Sequence, residues 1–170
     1  GTLHKGRTEL QKTHKDKWNM CQITNKDNLV GGIEEAMRGA DVLSAASTPG
    51  PDTIKKEWVA QMAKDPVVFL TANPIPEMWP WEAQEAGAVV IGTGRSDFPN
   101  QINNSLGFPG IFRGTLDVSA TTITDGMCIA AATELAKCAE DKGLSADYII
   151  PKMSEPEVFI REAVAVGMKA

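Results

Sequence analysis

The sequence lacks the features that mark membrane, secreted or zinc-binding proteins. Its longest apolar stretches, such as residues 87–92, have the length of a strand and fall far short of a membrane span. No apolar secretory segment opens the chain. The three cysteines, Cys21, Cys128 and Cys138, are odd in number, and their spacing fits no zinc pattern. We therefore expect reduced, buried thiols in a cytoplasmic protein that does not contact membranes.

Recognisable catalytic groupings are also missing. No Gly-x-Gly-x-x-Gly opens a strand-to-helix turn, since Gly31 and Gly32 fall inside a predicted helix and Gly92 and Gly94 lack a third glycine at the right spacing. The two histidines lie in a polar lead segment and are expected to be solvated. No Ser-His or Tyr-Lys arrangement and no carboxylate cluster of metal-site type is readable. The sequence therefore assigns no catalytic residue and no metal ligand to this segment.

What is present is the composition of an ordinary folded domain. At 170 residues, with 42% hydrophobic and 23% charged residues, the chain is long enough for one domain with its own core. The net charge of −5 argues against nucleic acid or an anionic membrane surface as a partner.

Helical and strand patterns alternate along the chain. Short continuous apolar runs predict strands at residues 40–46, 66–72 and 87–93. Helices are predicted at residues 29–38, 53–63, 81–86, 111–119 and 155–168, and Thr124 caps a further helix that ends at Gly143. Because the strands are continuous apolar runs, as expected when both of their faces are covered, we predict an α/β fold, a parallel sheet with flanking helices. Residues 1–119 would form the sheet and its binding loops, and residues 120–170 a helical tail.

The most unusual local sequences follow the predicted strands. Residues 47–50, 73–80 and the segment from residue 93 onward are rich in Gly, Pro and Asn. In an open parallel sheet, ligands bind in the crevice beyond the carboxyl ends of the strands. These three loops therefore predict a binding site at one edge of the sheet.

The predicted site offers binding chemistry. The side chains of Asn73, Asn103 and Asn104 provide neutral donors and acceptors for a carboxylate, a hydroxyl or a carboxamide. Each of them could instead be a turn or cap residue, as could Asn100. Arg95 could bind an anion, but we favour a pair with Asp97 that braces the loop. From the residues alone, the chain reads as the nucleotide- or acid-binding half of an enzyme.

Several segments together resemble the NAD(P)-binding domain of malic enzymes in their short microbial form. The most specific are ANP at residues 72–74, IGTGRSDFPNQINN at 91–104 and FPGIFRGTLD at 108–117. GTLHKGR at residues 1–7, GADV at 39–42 and STPG at 47–50 also match the family. The resemblance covers nearly the whole chain, with mild departures at residues 105–107 and at Trp79 and Trp81. It implies that the predicted sheet is a partial Rossmann-like parallel sheet with flanking helices and a helical tail.

The resemblance implies an activity for the intact enzyme. Malate would be oxidised by hydride transfer to NAD or NADP and decarboxylated to pyruvate with Mg²⁺ or Mn²⁺. It implies that Asn73 contacts malate and the nicotinamide end of the cofactor, and that Asn104, with Asn103 beside it, holds a malate carboxylate. Asn104 also counts among the cofactor contacts, together with the loop that follows the first strand: Ser47, Thr48, Pro49 and Gly50.

The resemblance also implies that other functional groups lie outside these residues. In the family, the glycine fingerprint, the catalytic Tyr and Lys and the acidic metal ligands precede the position that matches Gly1. We therefore expect a carboxyl-terminal portion of a malic enzyme, a homo-oligomer whose partners are malate, pyruvate and the rest of the enzyme. The alternatives are a related 2-hydroxy-acid enzyme of the malolactic type, or a non-catalytic binding or assembly module.

Overall fold

A computed structural model describes residues 1–170 and shows an α/β fold around a small parallel sheet. The strands are β1 (Val42–Ala45), β2 (Val67–Leu70) and β3 (Val90–Thr93), and a 3₁₀ helix spans Asn104–Leu106. The helices are α1 (Leu10–Thr13), α2 (Lys15–Ile23), α3 (Ile33–Met37), α4 (Lys56–Val59), α5 (Pro80–Glu85), α6 (Phe108–Asp117), α7 (Asp125–Lys142) and α8 (Pro156–Gly167). No helix is long and apolar enough to cross a bilayer.

The sheet has the predicted strands, all parallel, in the order β1-β2-β3. Its core joins strand residues such as Val68 and Leu70 to residues of the flanking helices and loops such as Met37, Ile54 and Ala83. Because β1 pairs with β2 alone, its outer edge has no strand partner. Val42 is correspondingly 55% exposed, so the expectation that every strand is covered on both faces is wrong for β1.

The last three helices form a second packed unit. Val166 of α8 packs with Met127 and Ala131 of α7 in a small apolar cluster. The Thr124 side chain accepts a hydrogen bond from the Met127 backbone N–H, and Gly143 ends α7 with φ of 94°, as the sequence predicts.

Several predicted boundaries are wrong for local reasons. α3 starts at Ile33 rather than near Leu29, because Asn28 takes a left-handed φ of 51° and two glycines follow. α4 is reduced to Lys56–Val59, since Lys55 before it takes an extended backbone conformation. α6 begins at Phe108, earlier than predicted, because Pro109 fits the first turn of a helix.

The cysteines are all free, as predicted, and Cys128 and Cys138 lie on the same helix, α7. Cys21 and Cys138 are buried. Cys128 is exposed, so the expectation of three buried thiols is wrong for this residue. It lies on the outer face of α7, whose buried residues include Met127, Ala131 and Cys138.

Candidate functional site

The carboxyl ends of the three strands lie side by side. The pairing register aligns Ala45 with Leu70 and Leu70 with Thr93. The Thr71 backbone N–H and hydroxyl both donate to the Ala45 carbonyl, at 3.0 and 2.7 Å, and so hold the second loop against the first strand end. The three loops singled out in the sequence therefore leave the same edge of the sheet.

The loop after β1 is tied to a buried carboxylate. Glu77 is 0% exposed, and its Oε1 accepts the Ser47 backbone N–H at 2.7 Å and the Ser47 hydroxyl at 3.1 Å. Thr48 and Pro49 are exposed, and Gly50 has a φ of 136°, which favours glycine. The loop is thus fixed at Ser47, and its following residues expose their backbone at the strand ends.

The loop after β2 brings Asn73 to the third loop. The Asn73 side chain is exposed and makes no hydrogen bond within the chain, and the peptide bond that joins it to Pro74 is cis. A Cβ atom added to Gly94 would lie 3.0 Å from Asn73 Nδ2 and 3.2 Å from the Thr71 carbonyl oxygen. Glycine at position 94 therefore allows the second and third loops to touch directly.

Arg95 and Asp97 form the pair that the sequence favoured. Arg95 Nε donates to Asp97 Oδ1 at 2.8 Å and Nη2 donates to Oδ2 at 2.6 Å, while Nη1 reaches the Pro74 carbonyl at 2.9 Å. The hydrogen bonds from Arg95 lower the pKa of the Asp97 carboxyl below its usual value. Arg95 thus braces the third loop against the second.

The asparagines of the third loop divide into engaged and free side chains. Asn103 accepts from the Ser105 N–H at 2.9 Å and donates to the Gly94 carbonyl at 3.0 Å. Asn100 is 5% exposed, donates to the Ile91 and Ala146 carbonyls and accepts from a third backbone group. Asn104 is exposed, and its amide makes no hydrogen bond within the chain. The hydrogen bonds of Asn100 and Asn103 therefore fix the loop, and the Asn104 side chain stays exposed and available to a ligand.

Aromatic rings line the rim of the same edge. The Trp79 and Trp81 rings stack with centroids 4.9 Å apart, and Phe98 lies 6.2 Å from Trp81 at a tilt. The two tryptophans therefore pack mainly on each other, although Trp81 remains 48% exposed.

Two buried glutamates were missed by reasoning from the sequence. Glu77 lies in a proline-rich loop that carries no periodic signal. Glu162 lies on α8 between Val158 and Val166, and this four-residue spacing on an amphipathic helix could have indicated burial. Neither oxygen of Glu162 accepts a hydrogen bond of good geometry, although the backbone amide of Gly110 lies nearby. Burial raises the pKa of Glu162 to about 7, and the Gly110 amide opposes part of that rise.

The described residues contain no cluster of three or more His, Cys, Asp or Glu side chains that could hold a metal ion. The loops at the sheet edge instead present neutral amides, hydroxyls and backbone groups around Gly50 and Gly94. Such a surface is suited to binding an organic ligand rather than a bare cation.

The chain is similar throughout its length to malic enzymes. Residues 1–170 match the family described as the malic enzyme NAD binding domain. The chain is 45% identical over 170 residues to the bifunctional malic/malolactic enzyme of Bacillus subtilis, covering 100% of this chain and 40% of that protein. It is 48% identical over 146 residues to the NAD-dependent malic enzyme of Geobacillus stearothermophilus, covering 86% of this chain and 30% of the relative.

Solved structures agree with these relatives. The malic enzyme of Entamoeba histolytica superposes with a TM-score of 0.94 at 51% identity, over 99% of this chain and 35% of its own. That of Pyrococcus horikoshii superposes with a TM-score of 0.86 at 50% identity, over 94% of this chain and 36% of its own. The chain thus spans less than half the length of the relatives it matches, and it belongs to the family of malic enzyme NAD-binding domains.

Proposed function

We propose that these residues supply malate- and cofactor-binding loops to an enzyme that oxidises malate, decarboxylates it to pyruvate and reduces NAD or NADP. The observation that carries the proposal is the register of the sheet, which brings all three family-matched loops to one edge. Relatives include both NAD- and NADP-dependent malic enzymes, and either dinucleotide is therefore proposed.

For malate, we propose that Asn73 and Asn104 make the direct contacts, with Asn103 beside them. The support is that the Asn73 and Asn104 amides are exposed and have no partner within the chain. Asn103 already spends its Oδ1 and one Nδ2 hydrogen on the loop, so one Nδ2 hydrogen remains for a ligand. Neutral amides can orient a dicarboxylate while other groups carry out the proton transfers.

For the cofactor, we propose contacts from Ser47, Thr48, Pro49 and Gly50, together with Asn73 and Asn104. The loop fits such a ligand because a Cβ at Gly50 would meet nothing within 4 Å, which leaves its backbone accessible. When bound, the nicotinamide ring would accept the hydride from C2 of malate. The loops of this chain would orient the two reactants.

The divalent metal implied by the family is assigned no residue here, because the described residues hold no cluster for it. We propose that the metal ligands, the acid–base groups and the remaining partner surfaces come from other parts of the enzyme. Self-association into a homo-oligomer is proposed from the family resemblance alone, and sedimentation of the full-length protein would test it.

An Asn104→Ala substitution in the full-length protein tests the proposed substrate role. Loss of one hydrogen bond to a charged group costs about 1.5–3 kcal/mol. We therefore expect the malate KM to rise roughly 10- to 100-fold and kcat to fall. Asn19→Ala, an exposed asparagine on α2, is the matched control and should leave both constants unchanged. Steady-state kinetics with malate varied would contradict the role if Asn104→Ala behaved like the control.

A malolactic reaction is the second candidate. The relative from Bacillus subtilis is named a bifunctional malic/malolactic enzyme, which favours this alternative specifically. Product analysis separates the two reactions, because pyruvate would accumulate with reduced dinucleotide in the first and lactate without it in the second. Lactate as the sole product would replace the leading proposal with this one.

A further inference from the structure

We infer that Glu77 is a positioning residue that fixes the cofactor loop, residues 47–50, relative to the Asn73 loop. The inference rests on the function proposed above for these two loops. Oε1 of Glu77 accepts the Ser47 N–H at 2.7 Å and the Ser47 hydroxyl at 3.1 Å, whereas Oε2 accepts the Ala72 N–H at 3.1 Å. One side chain thus joins the residue that opens the first loop to the residue directly before Asn73.

The carboxylate is held in place from behind. Glu77 is 0% exposed, and its flanking residues Pro76 and Met78 are also buried. Its backbone carbonyl accepts the N–H of Ile54, a core residue, at 3.1 Å. Because both the backbone and the side chain are fixed, a shift of either loop must strain the carboxylate or break its hydrogen bonds.

No ion pair includes Glu77, and the three donors from the two loops are the only hydrogen-bond partners of its side chain. Hydrogen bonds to a buried carboxylate are short and strong, and losing one leaves an unsatisfied group on each side. The hydrogen bonds of Glu77 therefore add to the packing between the two loops and couple their positions more tightly than packing alone would.

Only a carboxylate of this length meets the requirement of both loops. Each loop directs backbone N–H groups at Glu77, and each therefore needs an acceptor. A glutamine offers one acceptor and one NH₂ group, so it must turn a donor toward Ser47 or toward Ala72 in either orientation. An aspartate is one methylene shorter and cannot span the same two partners.

Displacement of the loops should affect binding of both reactants more than the chemistry itself. Small misplacements of positioning groups can cost about 100-fold in rate. We expect Glu77→Gln in the full-length protein to raise the KM of malate and of NAD(P) at least tenfold each, with a smaller fall in kcat. A purely structural role would instead lower the amount of active enzyme and leave both KM values unchanged.

Hydrogen exchange provides a readout that does not depend on activity. In Glu77→Gln, peptides containing Ser47 or Ala72 should exchange at least tenfold faster, while the β2 peptide around Val68 keeps its protection. Glu82→Gln is the matched control, because Glu82 also accepts a backbone N–H, that of Trp79 at 3.0 Å, within the same segment. The glutamine side chain of Glu82→Gln can still accept the Trp79 N–H, so the peptides containing Ser47 or Ala72 should exchange as in the parent.

Unchanged exchange at both peptides in Glu77→Gln would overturn the inference, whatever the kinetics show. Faster exchange with unchanged KM values would also overturn it as a statement about function. If the full-length parent shows no malate-dependent activity, the proposed function fails, and exchange still decides whether Glu77 positions the loops. Should Glu77→Gln not fold, Ser47→Ala removes one donor to Oε1: altered exchange at Ala72 supports the coupling, and unaltered exchange overturns it.

Discussion

The two fully buried glutamates of this chain have opposite surroundings. Glu77 receives three hydrogen bonds from backbone and hydroxyl donors. Glu162 receives none of good geometry and lies against Gly107, which precedes α6, and Gly110 of α6, close to the segment that carries Asn104. A buried carboxyl without partners is more stable when it is protonated. The same residue type therefore serves as a loop anchor in one place and as a pH-sensitive contact in the other.

Protonation of Glu162 should make the stability of the protein depend on pH. The pKa rises from 4.5 in the unfolded chain to about 7 in the folded one. The contribution is therefore fully present below pH 4.5 and is lost as pH rises through 7. No charged side chain on α6 or α7 adds to the causes of this shift, which are burial first and the opposing Gly110 amide second.

A Glu162→Gln variant tests this linkage. We expect the parent to lose on the order of 1–3 kcal/mol of unfolding free energy between pH 5 and pH 8 relative to the variant, whose side chain does not titrate. Urea unfolding at pH 5 and pH 8 measures how much the unfolding free energy of each protein changes with pH. Glu140 is an exposed α7 residue outside every ion pair, and Glu140→Gln should keep the pH dependence of the parent's unfolding free energy. The same pH dependence of the unfolding free energy in the parent and in Glu162→Gln would contradict a raised pKa for Glu162.

At the scale of elements, α6 and α8 pack through glycines. A Cβ on Gly114 would lie 2.4 Å from the Ala163 carbonyl oxygen and 2.8 Å from Val166 Cβ. Gly110 similarly makes room for the Glu162 side chain. The close approach of the two helices therefore depends on the absence of side chains at these positions. Since α6 follows the 3₁₀ helix that starts at Asn104, this packing also supports the third loop.

Gly114→Ala should destabilise the protein. The new methyl group meets a backbone carbonyl, which cannot move aside as a flexible side chain can, and we expect a loss of about 1–3 kcal/mol. Gly126→Ala on α7 is the matched control, because the closest atom that its Cβ would meet is Cε of the flexible Lys169 side chain, at 3.2 Å. Helix propensity should make that control neutral or stabilise it by up to about 1 kcal/mol. Equal unfolding midpoints for the two variants in urea would contradict the close-packing argument.

The sequence predicts elements best where a local rule decides the structure. Thr124 and Gly143 bound α7 because a side-chain cap and a left-handed stop are local features. The start of α3 could not be predicted, because Asn28 takes positive φ and donors and acceptors of Asn25 close the turn with Leu29. The candidate site also has parts set by local sequence and parts set by contacts between distant segments. Strand-end loops can be read from the pattern, whereas the anchoring by Glu77 depends on contacts between distant segments.

At the scale of the whole molecule, the chain forms one wall of the proposed site. The outer edge of β1 has no strand partner, and Val42 there is half exposed. Such an edge favours pairing with a further strand. The ion pairs of Arg161 with Glu134 and Asp141 and of Lys142 with Glu157 instead bind α7 and α8 to each other. The helical unit is thus held together by its own ion pairs, while the outer edge of β1 stays open.

We expect these 170 residues on their own to show no malate-dependent reduction of NAD(P). The reaction needs groups that move protons, and the ionisable side chains of the three loops, Glu77, Arg95 and Asp97, are already hydrogen-bonded within the chain. The one tyrosine, Tyr148, donates its hydroxyl to Glu155 at 3.0 Å, and burial raises its pKa. The histidines lie near the start of the chain, and Asp97 is paired with Arg95. Binding loops without a proton acceptor can hold malate and dinucleotide but cannot turn them over. Absorbance at 340 nm, recorded for the purified chain and for the full-length protein at equal concentration, measures the difference. Circular dichroism of the purified chain confirms that it is folded, and sustained malate-dependent reduction by it would show that a proton-transfer group is present among these residues.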